Sequence, residues 1–255
     1  MKLIPWNCFN EIEAYTTTKI GHTDLPFNMS FNDENHDQVL ENRKALAKYL
    51  HTDLDHMVAT RQTHSTNFIE VSLKDGGKGI YTQEDAFQNC DAMYTKDSNL
   101  FLLSFHADCT PVLLYCRDQK IIAEIHSGWK GTVTEIVGKV TKHLIDNEHC
   151  DPKQIYAYIG PSIEERNFEA KDDIIDLVKK MSFDTSSFYT KKDKDSYLLN
   201  SKGLIKQQLL NLNVKEENIT VSSYCTIENN DLFFSYRKEK TNLRNITSIK
   251  RNDIG

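Results

Sequence analysis

The chain has 255 residues, of which 39% are hydrophobic and 27% are charged, and its net charge at pH 7 is −6. This composition is typical of a globular protein with a substantial core, and the acidic balance argues against nucleic acid or an anionic membrane surface as a partner. The N-terminal segment has no apolar run of signal-peptide length, and no window is apolar enough to span a bilayer. We therefore expect a soluble, cytoplasmic protein.

The hydrophobic pattern first predicts an amphipathic helix over residues 39–50, with Arg43 on its outward face. A second helix carries Val133 to Leu144 on one face, and further helices are predicted at 172–181 and at 202–212, the last with Ser201 as its N-cap. Strands are predicted at residues 67–73, 91–95, 100–105, 111–116, 121–126, 154–159, 219–224, 231–236 and 246–250.

Strands outnumber helices in this pattern, and the central strands follow one another too closely for helical crossovers between them. The pattern therefore predicts an α+β (α/β-type) fold, in which one domain over residues 1–255 has a mixed β-sheet core and flanking helices. No sequence signal indicates the oligomeric state.

Six cysteines are scattered along the chain without a CxxC pair, and we expect reduced thiols rather than a disulfide framework. One of them, Cys109, belongs to one of three short segments that concentrate reactive side chains. These segments are residues 61–65 (RQTHS), 106–111 (HADCTP) and 125–132 (IHSGWKGT). Each lies at a predicted strand end, where a sheet exposes functional groups to a cleft.

The spacing of Cys109 and His126 suits a β-hairpin that places both residues near the same end. Together with His64, they offer the imidazole and thiolate ligands that zinc prefers, and three protein ligands leave a fourth tetrahedral position open. A metal-free interpretation uses the same region, with Cys109 as nucleophile, His126 as base and Asp108 as the residue that orients the base. The spacing leaves both interpretations open.

The turn from Gly128 to Gly131 indicates a second kind of site. Its glycines allow close approach of the backbone to a ligand, the next helix begins with unpaired amides, and Lys130 adds a positive charge. This pattern is typical of a phosphate or carboxylate site, and equally of an ordinary strand-to-helix turn with a solvated lysine. Arg61 would supply a further positive charge beside His64.

Six motifs occur in the order that one family shows: RQTHS, CDAMYT (90–95), ADCTPVLLY (107–115), IHSGWKGT, IGPSI (159–163) and FFSYRKEKTNLR (233–244). The chain thereby resembles the family variously called multicopper polyphenol oxidase or laccase, peptidoglycan editing factor, and multifunctional purine nucleoside enzyme. The resemblance runs from about Asn28 to Arg244, and the combination is specific although each motif alone is weak.

The resemblance implies a single α/β-type domain with a zinc site formed by His64, Cys109 and His126. It also implies activity on purine nucleosides, namely phosphorolysis of adenosine, inosine and methylthioadenosine, and hydrolytic deamination of adenosine. Arg61 and the Asn28 segment would line the same pocket. The chain departs from the family at Lys130, where arginine is common, and at Ser65, where glycine is common. The lysine keeps the charge but loses the fork that suits phosphate.

Three rival interpretations follow from the same residues. The first is copper-dependent oxidation of phenols. The nine histidines include no HxH pair, which argues against this interpretation. The second is a hydrolase that edits a peptidoglycan precursor with Cys109 and His126. The third is a nucleoside- or metal-binding protein without turnover. Zinc is the expected metal, and copper is the alternative.

Overall fold

The computed structural model describes residues 1–32 and 34–253, so Asp33, Ile254 and Gly255 of the predicted domain lie outside the described residues. The strands described are β1 (Leu3–Pro5), β2 (Ile12–Thr17), β3 (Met57–Ala59), β4 (Phe68–Glu70), β5 (Ala92–Thr95), β6 (Phe101–His106), β7 (Thr110–Cys116), β8 (Ile121–Ser127), β9 (Ile155–Ile159), β10 (Glu169–Ala170), β11 (Tyr189–Lys191), β12 (Tyr197–Leu199), β13 (Ile219–Val221) and β14 (Asn245–Arg251). The α-helices described are α1 (His36–Tyr49), α2 (Trp129–Val133), α3 (Ile136–Asp146), α4 (Asp172–Val178), α5 (Ser201–Asn211) and α6 (Tyr236–Glu239). No helix in this part of the chain has the length and apolarity that crossing a membrane requires.

The strands form two large sheets and one small sheet. The six-stranded sheet has the order β13-β9-β7-β8-β5-β4, the five-stranded sheet the order β1-β2-β14-β6-β3, and the small sheet the order β10-β12-β11. Both large sheets are mixed, because β4–β5, β9–β13 and β3–β6 pair in parallel while the other neighbours are antiparallel. The predicted α+β class with mixed sheets is confirmed, and the core holds two large sheets rather than one.

The two large sheets pack face to face between layers of helix. Val112 and Leu114 of β7 point into a cluster shared with α3 and α5. Leu113 and Tyr115, the alternate residues of the same strand, point into a cluster shared with the five-stranded sheet. On the far side of that sheet, α1 packs against β3 and β6. Because the central strands are covered on both faces, they read as continuous apolar runs rather than as alternating patterns.

Most predicted strands are confirmed to within one or two residues, but the strand predicted at 231–236 is wrong. The chain turns there and then forms α6, whose N-cap Ser235 accepts a hydrogen bond from the amide of Lys238 at 3.1 Å. Phe233 and Phe234 are buried in the turn. The aromatic residues that imitated a strand therefore serve packing, while the serine begins a helix.

Smaller corrections concern element ends. The predicted strands at 67–73 and 219–224 shorten to β4 and β13. The helix over residues 133–144 is interrupted by Glu135, whose φ of 60° lies in the left-handed region and separates α2 from α3. The N-cap of α5 is Asn200 rather than Ser201, because the Asn200 side chain accepts a hydrogen bond from the Gly203 amide at 2.7 Å.

The predicted outward orientation of Arg43 on α1 is wrong. The residue is buried, with 2% of its surface exposed. Its guanidinium donates hydrogen bonds to the carbonyls of Met29, Gly79 and Ile80 at 2.6–3.0 Å and stacks 4.1 Å from the Phe31 ring centre. These carbonyls belong to loops beyond the helix, so no periodicity within α1 could reveal them. The arginine thus ties two loops to α1 at the base of the pocket described below.

Candidate metal centre and its pocket

Asp91, which directly precedes β5, organises the segment around His64. Its buried carboxylate accepts hydrogen bonds from the amides of Thr63 (3.1 Å), His64 (3.0 Å) and Ser65 (2.7 Å), and from the Ser65 hydroxyl (2.8 Å). The same carboxylate lies 2.9 Å from Nδ1 of His126. His64 adopts a left-handed φ of 63° within this wrapped loop. One carboxylate therefore orients two of the predicted ligands.

The antiparallel hairpin of β7 and β8 delivers the third ligand. Pro111 pairs with His126 in this hairpin, so Cys109, two residues before Pro111, lies at the same end as the histidine. The distance from Cys109 Sγ to Nε2 of His64 is 3.6 Å. One ligand atom from each of His64, Cys109 and His126 lies within 4.8 Å of the others. The predicted hairpin arrangement is confirmed.

These side chains shift one another's pKa values in the direction that favours their charged forms. Burial raises the pKa of Cys109, but His126 and His64 outweigh burial and lower this pKa to about 6. Burial lowers the pKa of His126, but Cys109 and Asp91 outweigh it and raise this pKa to about 10. Burial also raises the pKa of Asp91, while hydrogen bonds and the charge of His126 bring it down to about 2. The site thus favours a thiolate, the form that binds a metal.

The distance between Cys109 and His64 is compatible with a zinc ion. In a tetrahedral site with Zn–S bonds of about 2.3 Å and Zn–N bonds of about 2.0–2.1 Å, sulfur and nitrogen lie roughly 3.6 Å apart, which is the distance between Cys109 and His64. Because Asp91 engages Nδ1 of His126, the opposite nitrogen is the one that can bind an ion when its proton is displaced, as in carboxylate–histidine–zinc arrangements. Among the described residues, no other cluster of this kind occurs.

Gly128 leaves space that the side chains of His64 and Cys109 occupy. A Cβ atom at this position would lie 2.2 Å from Cδ2 of His64 and 3.2 Å from Sγ of Cys109. Its role in the structure is therefore to permit the ligands to approach the backbone between β8 and α2.

The three ligands open into a pocket of about 730 Å³. Its lining includes Arg43, Arg61, Arg237 and Arg244, and Asp108 is its one carboxylate among the described residues. The pocket therefore carries local positive charge, in contrast to the chain's net charge of −6. Because a cleft focuses the field of its lining charges, it attracts anions.

The structure places the other predicted substrate-binding residues differently. Arg61 lines the pocket beside His64. Lys130 is exposed, does not line the pocket and lies with Nζ 5.6 Å from the Trp129 ring centre. Asn28 is buried behind the lining, where its side-chain oxygen accepts hydrogen bonds from the amide of Arg244 at 3.0 Å and from the following segment.

Asp108 lines the pocket next to Cys109, and its carboxylate is held on both oxygens. Oδ1 accepts a hydrogen bond from the Thr226 hydroxyl at 2.6 Å, and Oδ2 accepts one from the Arg237 amide at 2.8 Å. The residue therefore joins the loop that carries the metal ligand to two segments from the C-terminal part of the chain.

Sequence reasoning did not assign roles to two residues that the geometry singles out. Asp91 lies in the motif CDAMYT, and Arg244 ends the motif FFSYRKEKTNLR. Their presence in motifs was a signal, but neither sits beside a predicted ligand in sequence. Their proximity to the site arises only from the pairing of β5 with β8 and of β14 with β6.

Comparison with known proteins identifies the family of this chain. The family model described as multi-copper polyphenol oxidoreductase laccase matches residues 13–251. The chain belongs to this laccase family. The resemblance predicted from the motifs is thereby confirmed.

Related members carry names that specify an activity. Purine nucleoside phosphorylase YlmD of Bacillus subtilis (strain 168) is 32% identical over 234 residues, which cover 90% of this chain and 84% of the relative. Purine nucleoside phosphorylase SACOL1200 of Staphylococcus aureus (strain COL) is 35% identical over 229 residues, covering 88% and 85%. The crystal structure of the hypothetical protein YfiH of Bacillus licheniformis matches with a TM-score of 0.95 and 29% identity over 98% of this chain and 96% of that chain.

Proposed function

We propose that this member of the laccase family is a zinc-dependent purine nucleoside phosphorylase that also deaminates adenosine. Its substrates would be adenosine, inosine and methylthioadenosine with phosphate as cosubstrate, and adenosine with water. The observation that carries the proposal is the group of His64, Cys109 and His126 in the lining of a pocket that also contains four arginines. Relatives named purine nucleoside phosphorylase support the choice of reaction.

The metal would be held by Nε2 of His64, Sγ of Cys109 and the outward nitrogen of His126. When bound, zinc supplies a Lewis acid with one open position and favours ionisation of water there. Asp91 keeps the proton on Nδ1 of His126 and so presents the other nitrogen to the ion. The thiolate of Cys109 acts as a ligand in this proposal rather than as a nucleophile.

The pocket suits a nucleoside together with an anion. Its volume of about 730 Å³ falls within the range of small-molecule sites. Phe105, Trp129 and Tyr236 line it and offer apolar faces for a purine ring. Its arginines offer donors for phosphate, and Arg61 lies on the loop that carries His64. In this proposal Asp108 positions the Arg237 segment, because both its oxygens already accept hydrogen bonds.

Oxidation of phenols by several coppers receives less support from the structure. Such enzymes need several metal clusters, and the described part of the chain holds one group of suitable ligands. A cytoplasmic location remains a prediction, which cell fractionation can test.

The proposal is tested by incubating purified protein with adenosine, inosine and methylthioadenosine, each with and without phosphate, and identifying products by mass. We expect free base and ribose 1-phosphate, or its methylthio analogue, only when phosphate is present. Inosine should form from adenosine with or without phosphate. No product from any nucleoside would contradict the proposal and favour an editing role on peptidoglycan precursors.

A matched pair of cysteine variants separates the site from general effects of thiol removal. Cys109→Ala should lose metal and both activities, whereas Cys8→Ala, which removes a half-buried thiol elsewhere, should keep them. Metal analysis of the purified wild type should give about one zinc per chain. Copper would favour the oxidase, and full turnover without metal would favour a thiol enzyme.

A further inference from the structure

Arg244 differs from the other arginines that line the pocket. The buried Arg43 guanidinium donates four of its five N–H groups to main-chain carbonyls, so it has no pair of donors left to form a fork with a ligand. Arg61 and Arg237 are exposed at the rim, where solvent and salt weaken their charge. Arg244 is half-buried and lines the same pocket as the metal ligands.

The Arg244 side chain is fixed in place while part of its donor fork remains available. Nη1 donates to the carbonyls of Thr241 at 3.0 Å and Leu243 at 2.9 Å. Among the described residues, Nε and Nη2 have no hydrogen-bond partner, and no carboxylate forms an ion pair with the guanidinium. Two donors of a planar fork are the pattern that recognises two oxygens of a phosphate.

The backbone of Arg244 is fixed as well. Its amide donates to the side-chain oxygen of Asn28 at 3.0 Å, and its carbonyl accepts from the amide of Met29 at 3.3 Å. The guanidinium carbon lies 6.0 Å from the ring centre of Tyr236. A cation held in this way loses little conformational entropy when it binds a ligand.

Burial lowers the pKa of Arg244, while the charges of Cys109 and Asp108 oppose the decrease. An arginine nevertheless stays protonated in proteins, so this half-buried charge is incompletely compensated by its own protein. Asp108 makes no direct hydrogen bond to the Arg244 guanidinium, and its oxygens accept hydrogen bonds from Thr226 and the Arg237 amide instead. An anion entering the pocket would complete the arrangement.

We propose that Arg244 is the principal phosphate-binding residue of the pocket, with Nε and Nη2 donating to two oxygens of inorganic phosphate. This inference rests on the proposed function and specifies which residue holds its cosubstrate. It assigns to Asn28 a positioning role, because the Asn28 side chain holds the backbone of Arg244. It also moves the phosphate site away from Lys130, whose side chain does not line the pocket.

Calorimetric titration of inorganic phosphate into the purified protein tests the inference. Arg244→Gln should weaken phosphate binding by about tenfold or more, which is the loss expected for charge-assisted hydrogen bonds. Arg244→Lys should lie between the wild type and Arg244→Gln, because it keeps the charge and loses the fork. Arg117→Gln, which removes an exposed arginine outside the pocket lining, should bind phosphate as the wild type does.

Circular dichroism and metal content accompany the titration so that misfolded variants are recognised, and Arg244→Lys provides the test if Arg244→Gln does not fold. The inference is overturned if the wild type does not bind phosphate, if folded Arg244 variants bind it with unchanged affinity, or if Lys130→Gln loses more affinity than Arg244→Gln.

Turnover assays separate this inference from the proposed function. For inosine phosphorolysis, Arg244→Gln should raise the KM for phosphate, while phosphate-independent deamination of adenosine should change little. If the wild type turns over no nucleoside yet binds phosphate through Arg244, the proposed function fails and the inference stands. If phosphorolysis occurs and the KM for phosphate is unchanged in Arg244→Gln, only the inference fails.

Discussion

Nδ1 of His126 lies 2.9 Å from Oδ1 of Asp91, and the His126 amide donates to the Asp91 carbonyl at 2.8 Å. This double contact joins the metal-ligand end of β8 to the residue that precedes β5. The same carboxylate also accepts hydrogen bonds from the amides of residues 63–65. The orientation of His64 and His126 therefore depends on a single buried side chain. The Asp91 carboxylate thus couples the orientation of two candidate ligands to the pairing of β5 with β8.

Replacement of this carboxylate should weaken the metal site. In Asp91→Asn, one acceptor oxygen becomes an amide donor, so His126 and the His64 loop cannot both keep their hydrogen bonds. We expect zinc affinity to fall by about 10- to 100-fold, measured by competition with a chromophoric chelator. Asp146→Asn, which removes an exposed carboxylate paired with Lys142, is the control and should retain affinity. Equal affinity in the two folded variants would contradict the role assigned to Asp91.

Gly128→Ala should remove the metal site with little change to the rest of the fold. The new methyl group would overlap the His64 ring at 2.2 Å, and the exposed histidine loop is more able to move than β8. We expect loss of bound zinc and of nucleoside turnover. Gly138→Ala is the matched control, because a Cβ there would meet Gln208 at an ordinary 3.7 Å and alanine favours the interior of α3 by roughly 0.5–1 kcal/mol. Normal zinc content in Gly128→Ala would refute the proposed geometry.

The strand pattern and the group of three candidate metal ligands could be predicted because their signals are local. Residues 100–127 form strands covered on both faces, and their apolar runs are visible in the sequence. His64, Cys109 and His126 lie at strand ends and within recognisable motifs, although spacing alone left the metal-free interpretation open. The family resemblance was needed to prefer zinc.

The buried Glu124 should make the stability of the protein depend on pH. Burial raises its pKa, while Ser104 and His126 lower it and Asp91 raises it, and the result is about 8 against an ordinary value of 4.5. Because the folded-state pKa exceeds the unfolded one, the stabilising effect of protonation is complete below the unfolded value and is lost as the pH rises through 8. Between pH 6 and 9, the free energy of unfolding of the wild type, measured with urea, should fall by roughly 3 kcal/mol more than that of Glu124→Gln.

The glutamine in that variant imitates the protonated acid, so it keeps the shape of the buried group without its titration. Both proteins should be measured with the same metal content, because His126 also titrates near this site. An equal loss of unfolding free energy in both proteins would show that Glu124 is not protonated in the folded state at neutral pH.

Arg43 lines the pocket, and its substitution should strongly reduce the stability of the protein. Arg43→Met would leave the carbonyls of Met29, Gly79 and Ile80 without their donor, at a cost of about 2–4 kcal/mol in the free energy of unfolding. Urea denaturation measures the change. Lys44→Met, at the next and exposed position of α1, should change stability by about 0.5 kcal/mol or less. A similarly small change in Arg43→Met would show that its hydrogen bonds contribute little.

What the sequence could not show depends on contacts between distant segments. The partners of Arg43 lie in loops that α1 reaches only after the sheets have formed. Arg244 reaches the pocket because β14 pairs with β6, and Asn28 acts through the backbone of Arg244 rather than by facing the pocket. The turn at Phe233 and Phe234 was mistaken for a strand because burial, not sheet pairing, explains its aromatic residues.

Zinc K-edge X-ray absorption of the purified protein tests the central claim most directly, since it reports the atoms around the ion. With His64, Cys109 and His126 as ligands, the spectrum should fit one sulfur at about 2.3 Å and three nitrogen or oxygen atoms at about 2.0–2.1 Å. Cys109→Ser should lack the sulfur contribution. A wild-type zinc shell without sulfur, or a protein that contains no zinc, would contradict the account.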